Sequence, residues 1–354
     1  MAGRLAVGSP SASVGGRSRV GQVVVMGSGS WGTAFAAMST DAGEQVRLWA
    51  RRAEVAAEIN EQHTNAGYLP GITLPSGLTA TDDPAAALAD AEVVVLAVPS
   101  VGIEGQLAAW GELIPPEATL VSLIKGVDVD TLRFGSQLIS DALGCDPARV
   151  VVVSGPNLAR ECAARLPAAS VAASPELWRA ERVQAAVMAP YFRVYTNEDK
   201  IGVEVAGAVK NVIAIAAGMA HGMGYGDNTK AAVLTRGLAE MTRLGVALGG
   251  KALTFGGLAG VGDLAATCTS PQSRNRTVGE RLGRGEALPD IIDSMNMVAE
   301  GVKSSRALLG LAERAGVDMP ITQGVVAVCH AGHDPKELVG LLMSREAKPE
   351  IYGL

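Results

Sequence analysis

Cysteine and histidine are scarce in this sequence, with four residues of each among 354. The four cysteines are far apart and lack the spacing of a metal site: Cys145, Cys162, Cys268 and Cys329. We therefore expect no metal and no disulfide framework, but buried thiols in a reducing cytoplasm. His330 and His333 have H-x-x-H spacing, but Gly332 and Pro335 beside them favour a helix end over a metal site.

Long apolar runs and an excess of basic residues are also missing. No stretch reaches the length of a membrane span without Gly, Pro or charge, so no membrane span is expected. The formal net charge of −6 argues against nucleic-acid binding and leaves a small molecule as the expected partner. Residues 1–18 mix Gly, Ser, Ala and Arg without the apolar core of a secretory signal, which predicts a disordered extension.

What the sequence does have is a glycine loop directly after its first apolar run. Val23, Val24 and Val25 lead directly into Gly27-Ser28-Gly29-Ser30-Trp31-Gly32, and an alanine-rich segment follows. This order of strand, glycine turn and helix is typical of a dinucleotide-binding loop. In that pattern Gly27 makes the tight turn, Gly29 lets the backbone approach a pyrophosphate, and Gly32 allows close packing of helix on strand. The alternative is a plain turn between strand and helix in another α/β protein.

Further apolar runs at 45–50, 92–98, 119–124 and 149–153 alternate with helical segments, two of them near 102–113 and 131–143. This alternation predicts a doubly wound, Rossmann-like parallel sheet, with short strands at 169–172 and 192–195. Ligands of such sheets bind at the carboxyl ends of the strands, which places Lys125 and Gly155 in the cleft. Lys125 is then an expected anion or oxygen ligand, with strand-end solvation as the alternative.

The residues after the second apolar run, at 45–50, indicate which coenzyme is preferred. An NAD site usually has an acidic residue about 20 positions after the glycine loop, but Arg51 and Arg52 stand there instead. Two guanidinium groups suit a 2′-phosphate, so NADP(H) is expected to be preferred and NAD(H) possible. A solvated basic helix start is the alternative.

Near Asn197 the strand pattern stops and helical segments follow. We expect a disordered extension at 1–18, a dinucleotide-binding domain at 19–197, and an all-helical substrate domain at 198–354. The segment 203–218 is apolar around almost its whole circumference, which predicts a buried helix with Lys210 in its middle. Such a lysine either has a function or extends its stem to the surface.

The later segments continue this pattern. Another helix is expected at 228–248, a glycine-dense loop at 255–264 carrying Asp263, and a last helical region at 304–342. Between them, Ser273, Arg274 and Asn275 are donors of the kind that bind phosphate, although a solvated turn is an equal alternative.

After residue 18 the sequence resembles the bacterial-type NAD(P)-dependent glycerol-3-phosphate dehydrogenases. Five segments carry the resemblance: Gly27-Ser28-Gly29-Ser30-Trp31-Gly32-Thr33-Ala34; Tyr68-Leu69-Pro70-Gly71; Ser154-Gly155-Pro156-Asn157 with Ala159; 204–211 with Lys210; and Gly262-Asp263-Leu264 followed by Ser273-Arg274-Asn275. The resemblance implies reversible, NAD(P)H-dependent reduction of dihydroxyacetone phosphate to sn-glycerol 3-phosphate, supplying glycerophospholipid synthesis. A cytoplasmic homodimer is expected from the same resemblance and from base rates.

The family pattern also implies the site residues. Beyond the glycine loop, the coenzyme contacts implied are Arg51, Arg52, Tyr68, Lys125, Ala159, Arg274, Val298 and Glu300. The substrate contacts implied are Lys125, Gly155, Asn157, Lys210, Asp263, Ser273, Arg274 and Asn275. Lys210 is implied as the proton acceptor, and Asn157 stands where relatives often carry Ser or Thr.

Two other functions compete with this one. Another dehydrogenase with the same plan would act on a phosphosugar acid or a keto acid, but the phosphate-type cluster at Ser273 to Asn275 argues against ligands without phosphate. A sensor that binds NADPH without turnover would have no use for a buried Lys210.

Within the enzyme, Lys125 and burial are expected to lower the pKa of Lys210, while Asp263 opposes that shift and orients the ammonium.

Overall fold

The computed structural model describes residues 20–99, 102–295, 299–347 and 349–350. The predicted extension at 1–18 and the predicted coenzyme contact Val298 lie outside the described residues.

One sheet organises the first half of the chain. Its strands are β1 Gln22–Met26, β2 Gln45–Trp49, β3 Thr79–Thr81, β4 Val93–Leu96, β5 Thr119–Ser122, β6 Val150–Ser154, β7 Ala168–Ala173 and β8 Phe192–Asn197. Their order across the sheet is β3-β2-β1-β4-β5-β6-β7-β8, and β6–β7 is the one antiparallel pair among these strands. The first six strands have the Rossmann order, which confirms the predicted doubly wound fold.

Helices cover both faces of this sheet. They are α1 Ser30–Asp41, α2 Ala53–Gln62, α3 Pro84–Leu88, α4 Ile103–Trp110, α5 Gly135–Leu143, α6 Ala159–Ala163 and α7 Leu177–Val187, with short 3-10 turns at Gly111–Leu113 and Pro147–Arg149. Because successive side chains of a strand point to opposite faces, Val23 and Val25 belong to one apolar core and Val24 to another. All three valines are completely buried, as expected of a strand covered on both faces.

Regular structure in the described residues after Asn197 is helical. It comprises α8 Lys200–Gly222, α9 Asp227–Ala247, α10 Ala252–Phe255, a π-helix at Leu258–Gly262, α11 Asp263–Thr269, α12 Arg274–Gly283, α13 Leu288–Asp293, α14 Glu300–Ala315, α15 Pro320–Ala331 and α16 Pro335–Met343.

The long helix α8 lies at the centre of this second half, and every residue from Gly202 to Ala220 is buried. By length and composition alone α8 could cross a membrane, but 94% of its most apolar window is buried inside the protein, as in the core helix of a folded domain. Glycines bring α12 unusually close to it: a Cβ on Gly279 would lie 2.0 Å from the Ile215 carbonyl oxygen. This contact packs the middle of α12 against the second half of α8.

Two local predictions were wrong, and one strand was missed. The glycine-dense segment at 255–264 is helical rather than a loop, and the helix predicted at 131–143 begins only at Gly135. The predicted last helical region at 304–342 is helical and comprises three helices, because Gly316 and Gly332 take the left-handed conformation that ends a helix. The edge strand β3 was not predicted, since it has only three residues, two of them threonine.

Candidate active site

The glycine loop joins β1 to α1 at the carboxyl edge of the sheet. Gly27 has φ +126°, and a Cβ there would lie 2.7 Å from the Ala97 carbonyl oxygen, so this turn requires glycine. A Cβ on Gly32 would lie 2.0 Å from the Gly27 oxygen, whereas a Cβ on Gly29 would meet nothing within 4 Å. The loop is therefore tightly packed on its inner side and open over Gly29, next to the N-terminus of α1.

Four of the predicted coenzyme residues, Ser30, Trp31, Tyr68 and Ala159, lie in the glycine loop or in the segments packed near it. The indole Nε1 of Trp31 is buried and has no hydrogen-bond partner in the described part of the chain. Ser30 Oγ donates to the Tyr68 carbonyl oxygen at 2.9 Å, which brings the loop after α2 against the glycine loop. Ala159, the first residue of α6, packs with Trp31 against one small apolar cluster.

The remaining predicted coenzyme residues are placed at helix starts and strand ends. Arg51 and Arg52 are exposed just after β2, and Arg52 Nε lies 3.7 Å from Glu54. Arg274 and Glu300 are the first residues of α12 and α14. Their roles as coenzyme contacts stay predictions.

The open loop and the buried Trp31 donor fit a dinucleotide, because its pyrophosphate accepts hydrogen bonds from backbone N–H groups at a helix start. Among the described residues, no three His, Cys, Asp or Glu side chains are placed to hold a metal ion.

A carboxylate between two lysines forms the centre of the site. Lys210 Nζ donates to Asp263 Oδ1 at 2.9 Å and to Thr267 Oγ1 at 2.8 Å. Lys125 Nζ donates to Asp263 Oδ2 at 2.7 Å and to the Gly155 carbonyl oxygen at 3.1 Å. The helical second half of the chain supplies Lys210 from α8 and Asp263 from α11, and the sheet supplies the residues that follow β5 and β6. Four segments distant in sequence therefore meet at the carboxyl edge of the sheet.

Burial and charge act against each other at this cluster. Lys210 is only 6% exposed, and burial lowers its pKa, with Asp263 opposing the shift and Lys125 adding to it. This is the direction that the sequence predicted. Burial alone would raise the pKa of Asp263, but Lys125 and Lys210 together hold it below its usual value. The carboxylate thus stays ionised between two cations, and the three groups carry one net positive charge when both lysines are protonated.

Two predicted substrate residues have side-chain amides engaged inside the protein. Asn275 donates to Asn211 Oδ1 at 2.9 Å and accepts from the Gly301 N–H at 3.0 Å. Asn157 donates to the Ala169 carbonyl oxygen at 2.9 Å and accepts from Ser170 Oγ at 2.9 Å. These contacts tie the neighbouring segments together, and direct contact of either amide with substrate stays a prediction.

Ser273 is buried and caps α12, its Oγ accepting from the Arg276 N–H at 3.2 Å. The phosphate-type segment predicted from the sequence is therefore a helix N-terminus, a position that favours anions.

Two residues of the site were missed. Thr267 follows Asp263 by four positions on α11, so both face Lys210 once the segment is helical. Asn211 adjoins Lys210 on α8 and donates to the Lys125 carbonyl oxygen at 3.0 Å. The i, i+4 spacing could have indicated Thr267 if the glycine-dense segment had been interpreted as a helix.

Comparisons with known proteins agree with this geometry. Residues 22–179 match the family model of the NAD-dependent glycerol-3-phosphate dehydrogenase N-terminus, and residues 199–340 match that of its C-terminus. The chain is similar to the glycerol-3-phosphate dehydrogenase (NAD(P)+) of Corynebacterium glutamicum, at 54% identity over 93% of this chain and 99% of that protein. The corresponding protein of Streptomyces coelicolor is also 54% identical, over 93% of this chain and 98% of its own length. The crystal structure of a Coxiella burnetii glycerol-3-phosphate dehydrogenase is 36% identical with a TM-score of 0.86, and the match covers 92% of this chain and 99% of that one.

Proposed function

We propose that Lys210 is the general acid and base in this chain, which belongs to the bacterial NAD(P)-dependent glycerol-3-phosphate dehydrogenase family. The chain is an oxidoreductase that interconverts dihydroxyacetone phosphate and sn-glycerol 3-phosphate with NAD(P)(H). The observation that carries the role of Lys210 is the carboxylate of Asp263, which holds this buried ammonium at the carboxyl edge of the sheet. Consumption of NADPH on addition of dihydroxyacetone phosphate tests the activity.

Proton transfer at C2 of the substrate is assigned to Lys210 Nζ. The bound coenzyme supplies or accepts the hydride at C2. In reduction, the Lys210 ammonium donates a proton to the C2 oxygen, and in oxidation the neutral amine removes it. Asp263 and Thr267 hold Nζ in place, and burial lowers the pKa of Lys210, so the neutral amine forms more easily than it does in an exposed lysine.

Lys125 contributes charge and position rather than a proton. Its ammonium shares Asp263 with Lys210 and is fixed by the Gly155 carbonyl oxygen. A second cation beside the reacting oxygen stabilises negative charge that develops there.

The substrate phosphate is assigned to the start of α12. Ser273, Arg274 and Asn275 lie at this helix N-terminus, and Arg274 is exposed toward solvent. A guanidinium group makes a bidentate contact with phosphate in a fixed geometry.

Replacing Arg274 with lysine is expected to raise the KM for both ligands about tenfold or more, because an ammonium cannot reproduce a planar bidentate contact. Steady-state kinetics with each ligand varied in turn measures this effect. Arg276→Lys is the control, since Arg276 pairs with Glu280 at 3.5 Å and a lysine can do the same. Near-normal KM values in Arg274→Lys would place Arg274 outside the site.

Coenzyme choice is assigned to Arg51 and Arg52, which support a preference for NADP(H) with NAD(H) also accepted. Both side chains are exposed at the end of β2, where the coenzyme ribose lies in Rossmann domains.

The double variant Arg51→Asp with Arg52→Ala is expected to shift the ratio of kcat/KM for NADPH over NADH about tenfold or more toward NADH. It removes both phosphate partners and adds a charge that repels the 2′-phosphate. Arg314→Asp reverses a surface charge on α14 and should leave the ratio unchanged. An unaltered ratio in the double variant would contradict the assignment.

We further propose a cytoplasmic homodimer that supplies glycerophospholipid synthesis. All four cysteines are free thiols, as suits a reducing compartment, and two-fold dimers are the commonest assembly of soluble enzymes. The proposed division into 19–197 and 198–354 is supported by the end of β8 at Asn197 and the start of α8 at Lys200.

A further inference from the structure

The side chain of Asn65 ties the loop after α2 to the glycine loop. Asn65 is 1% exposed, and its Nδ2 donates to the Ser28 carbonyl oxygen at 2.9 Å and to Thr33 Oγ1 at 2.9 Å. Thr33 Oγ1 also donates to the Ser28 oxygen, at 3.1 Å. One carbonyl oxygen in the middle of the glycine loop therefore accepts from two side chains on the protein side.

Those bonds determine the direction of the next N–H group. In a trans peptide the C=O of one residue and the N–H of the following residue lie in one plane and point in opposite directions. With the Ser28 oxygen held toward Asn65 and Thr33, the Gly29 N–H points away from them. The loop is also not packed over Gly29, since a Cβ on this residue would meet nothing within 4 Å.

The backbone around Asn65 is itself fixed. The Asn65 carbonyl oxygen accepts from the N–H groups of Tyr68 at 3.1 Å and Leu69 at 2.8 Å, and the Tyr68 oxygen accepts from Ser30 Oγ at 2.9 Å. The loop after α2 thus holds the residues on both sides of Gly29, and the Asn65 amide is a rigid support.

We propose that Asn65 is a positioning residue of the coenzyme site, which aims the Gly29 N–H at the pyrophosphate of the dinucleotide. The proposal rests on the coenzyme function given above. Asn65 acts through the backbone of the glycine loop and does not itself touch the coenzyme.

This role predicts that loss of Asn65 changes ligand affinities in a different pattern from loss of the arginines after β2. NADPH and NADH both contain the pyrophosphate, so loss of Asn65 should weaken both by the same factor. Adenosine 2′-monophosphate has the adenosine and the 2′-phosphate without a pyrophosphate, so its affinity should be retained. Arg51 and Arg52 should instead affect NADPH and adenosine 2′-monophosphate and spare NADH.

Asn65→Leu tests the proposal, because leucine has nearly the same shape and no donor. The Kd of NADPH and of NADH, measured by fluorescence without substrate, is expected to rise about tenfold to hundredfold for each. The kcat at saturating coenzyme and the Ki of adenosine 2′-monophosphate should stay within about threefold of the wild-type values. Because binding is measured without dihydroxyacetone phosphate, the result does not depend on the catalytic assignment.

Asn60→Leu is the matched control. Asn60 also pairs its amide with backbone, donating to the Ala80 oxygen at 2.9 Å and accepting from the Ala80 N–H at 2.8 Å, and both contacts lie on β3 away from the glycine loop. Its coenzyme affinities should be normal. Thr33→Val, which removes the second donor to the Ser28 oxygen, should weaken both coenzymes by a smaller factor and serves if Asn65→Leu does not fold.

Two results would overturn the proposal. Unchanged coenzyme Kd values with a lower Tm would make Asn65 a residue of stability alone. An equal loss of adenosine 2′-monophosphate affinity would mean that the whole binding surface has collapsed.

Discussion

Replacing Lys210 with methionine is expected to lower kcat by about 10²–10⁴-fold while coenzyme affinity changes little. Methionine keeps the length and the apolar stem and deletes the ammonium that bonds to Asp263 and Thr267. The coenzyme binds mainly to the glycine loop, which belongs to the other half of the chain. Single-turnover reduction of dihydroxyacetone phosphate, with NADPH binding measured separately, distinguishes the two effects.

The fold should tolerate this change better than most losses of a buried ion-pair partner. Leaving a buried charge unpaired usually costs about 3–5 kcal/mol, but in Lys210→Met the Asp263 carboxylate keeps Lys125 at 2.7 Å. We therefore expect a smaller loss of unfolding free energy in urea. Lys200→Met is the control on the same helix, since Lys200 Nζ donates to the Pro147 carbonyl oxygen, at 2.6 Å, before the start of β6, and it should leave kcat unchanged. A variant that unfolds yet keeps full activity per folded molecule would make Lys210 a structural residue.

The helix that carries Lys210 could be predicted because its signal is local. Apolar residues on all sides of one segment indicate a helix buried all round, and the structure buries α8 from Gly202 to Ala220. A lysine in such a segment is conspicuous without any knowledge of its partners. The glycine loop is equally local, since strand, turn and helix follow one another within a few residues.

The partner of Lys210 was harder to place. Glycine is a poor helix former, so the segment at 255–264 suggested a loop. The local backbone requires glycine all the same, because a Cβ on Gly260 would lie 2.0 Å from the Phe255 carbonyl oxygen within the same compact turn. Because the segment was interpreted as a loop, the helical spacing that places Thr267 beside Asp263 was not predicted.

Contacts between distant segments could not be predicted either. The amide of Asn275 is engaged by Asn211, 64 positions earlier, and the amide of Asn157 by β7. No periodicity or spacing in the sequence reports such pairs. The sequence can therefore indicate which side chains gather at the carboxyl edge of a sheet, but not which of them are already occupied there.

Replacing Asp263 with asparagine is expected to have the second large effect, because one carboxylate serves the buried ammonium of Lys210 and the partly buried ammonium of Lys125. An amide oxygen can accept from one lysine, but the amide NH₂ then faces the other cation. We expect a loss of about 3–5 kcal/mol in unfolding free energy, since a buried charge is left without its partner. The kcat should fall about 10²-fold or more, because Lys210 Nζ is no longer held in place.

The pH dependence of Asp263→Asn identifies the group that titrates. Burial lowers the pKa of Lys210 and Asp263 raises it, so removing the carboxylate should lower that pKa further. Reduction requires the ammonium and fails above this pKa, whereas oxidation requires the neutral amine and fails below it. Both limits should therefore move to lower pH in the variant, as measured by kcat–pH profiles in the two directions. Glu204→Gln is the control. Glu204 is a buried acidic residue on α8, the helix of Lys210, and its carboxylate accepts hydrogen bonds from Ser136 rather than from a lysine. Profiles that stay in place in Asp263→Asn would mean that Lys210 is not the group exchanging the proton.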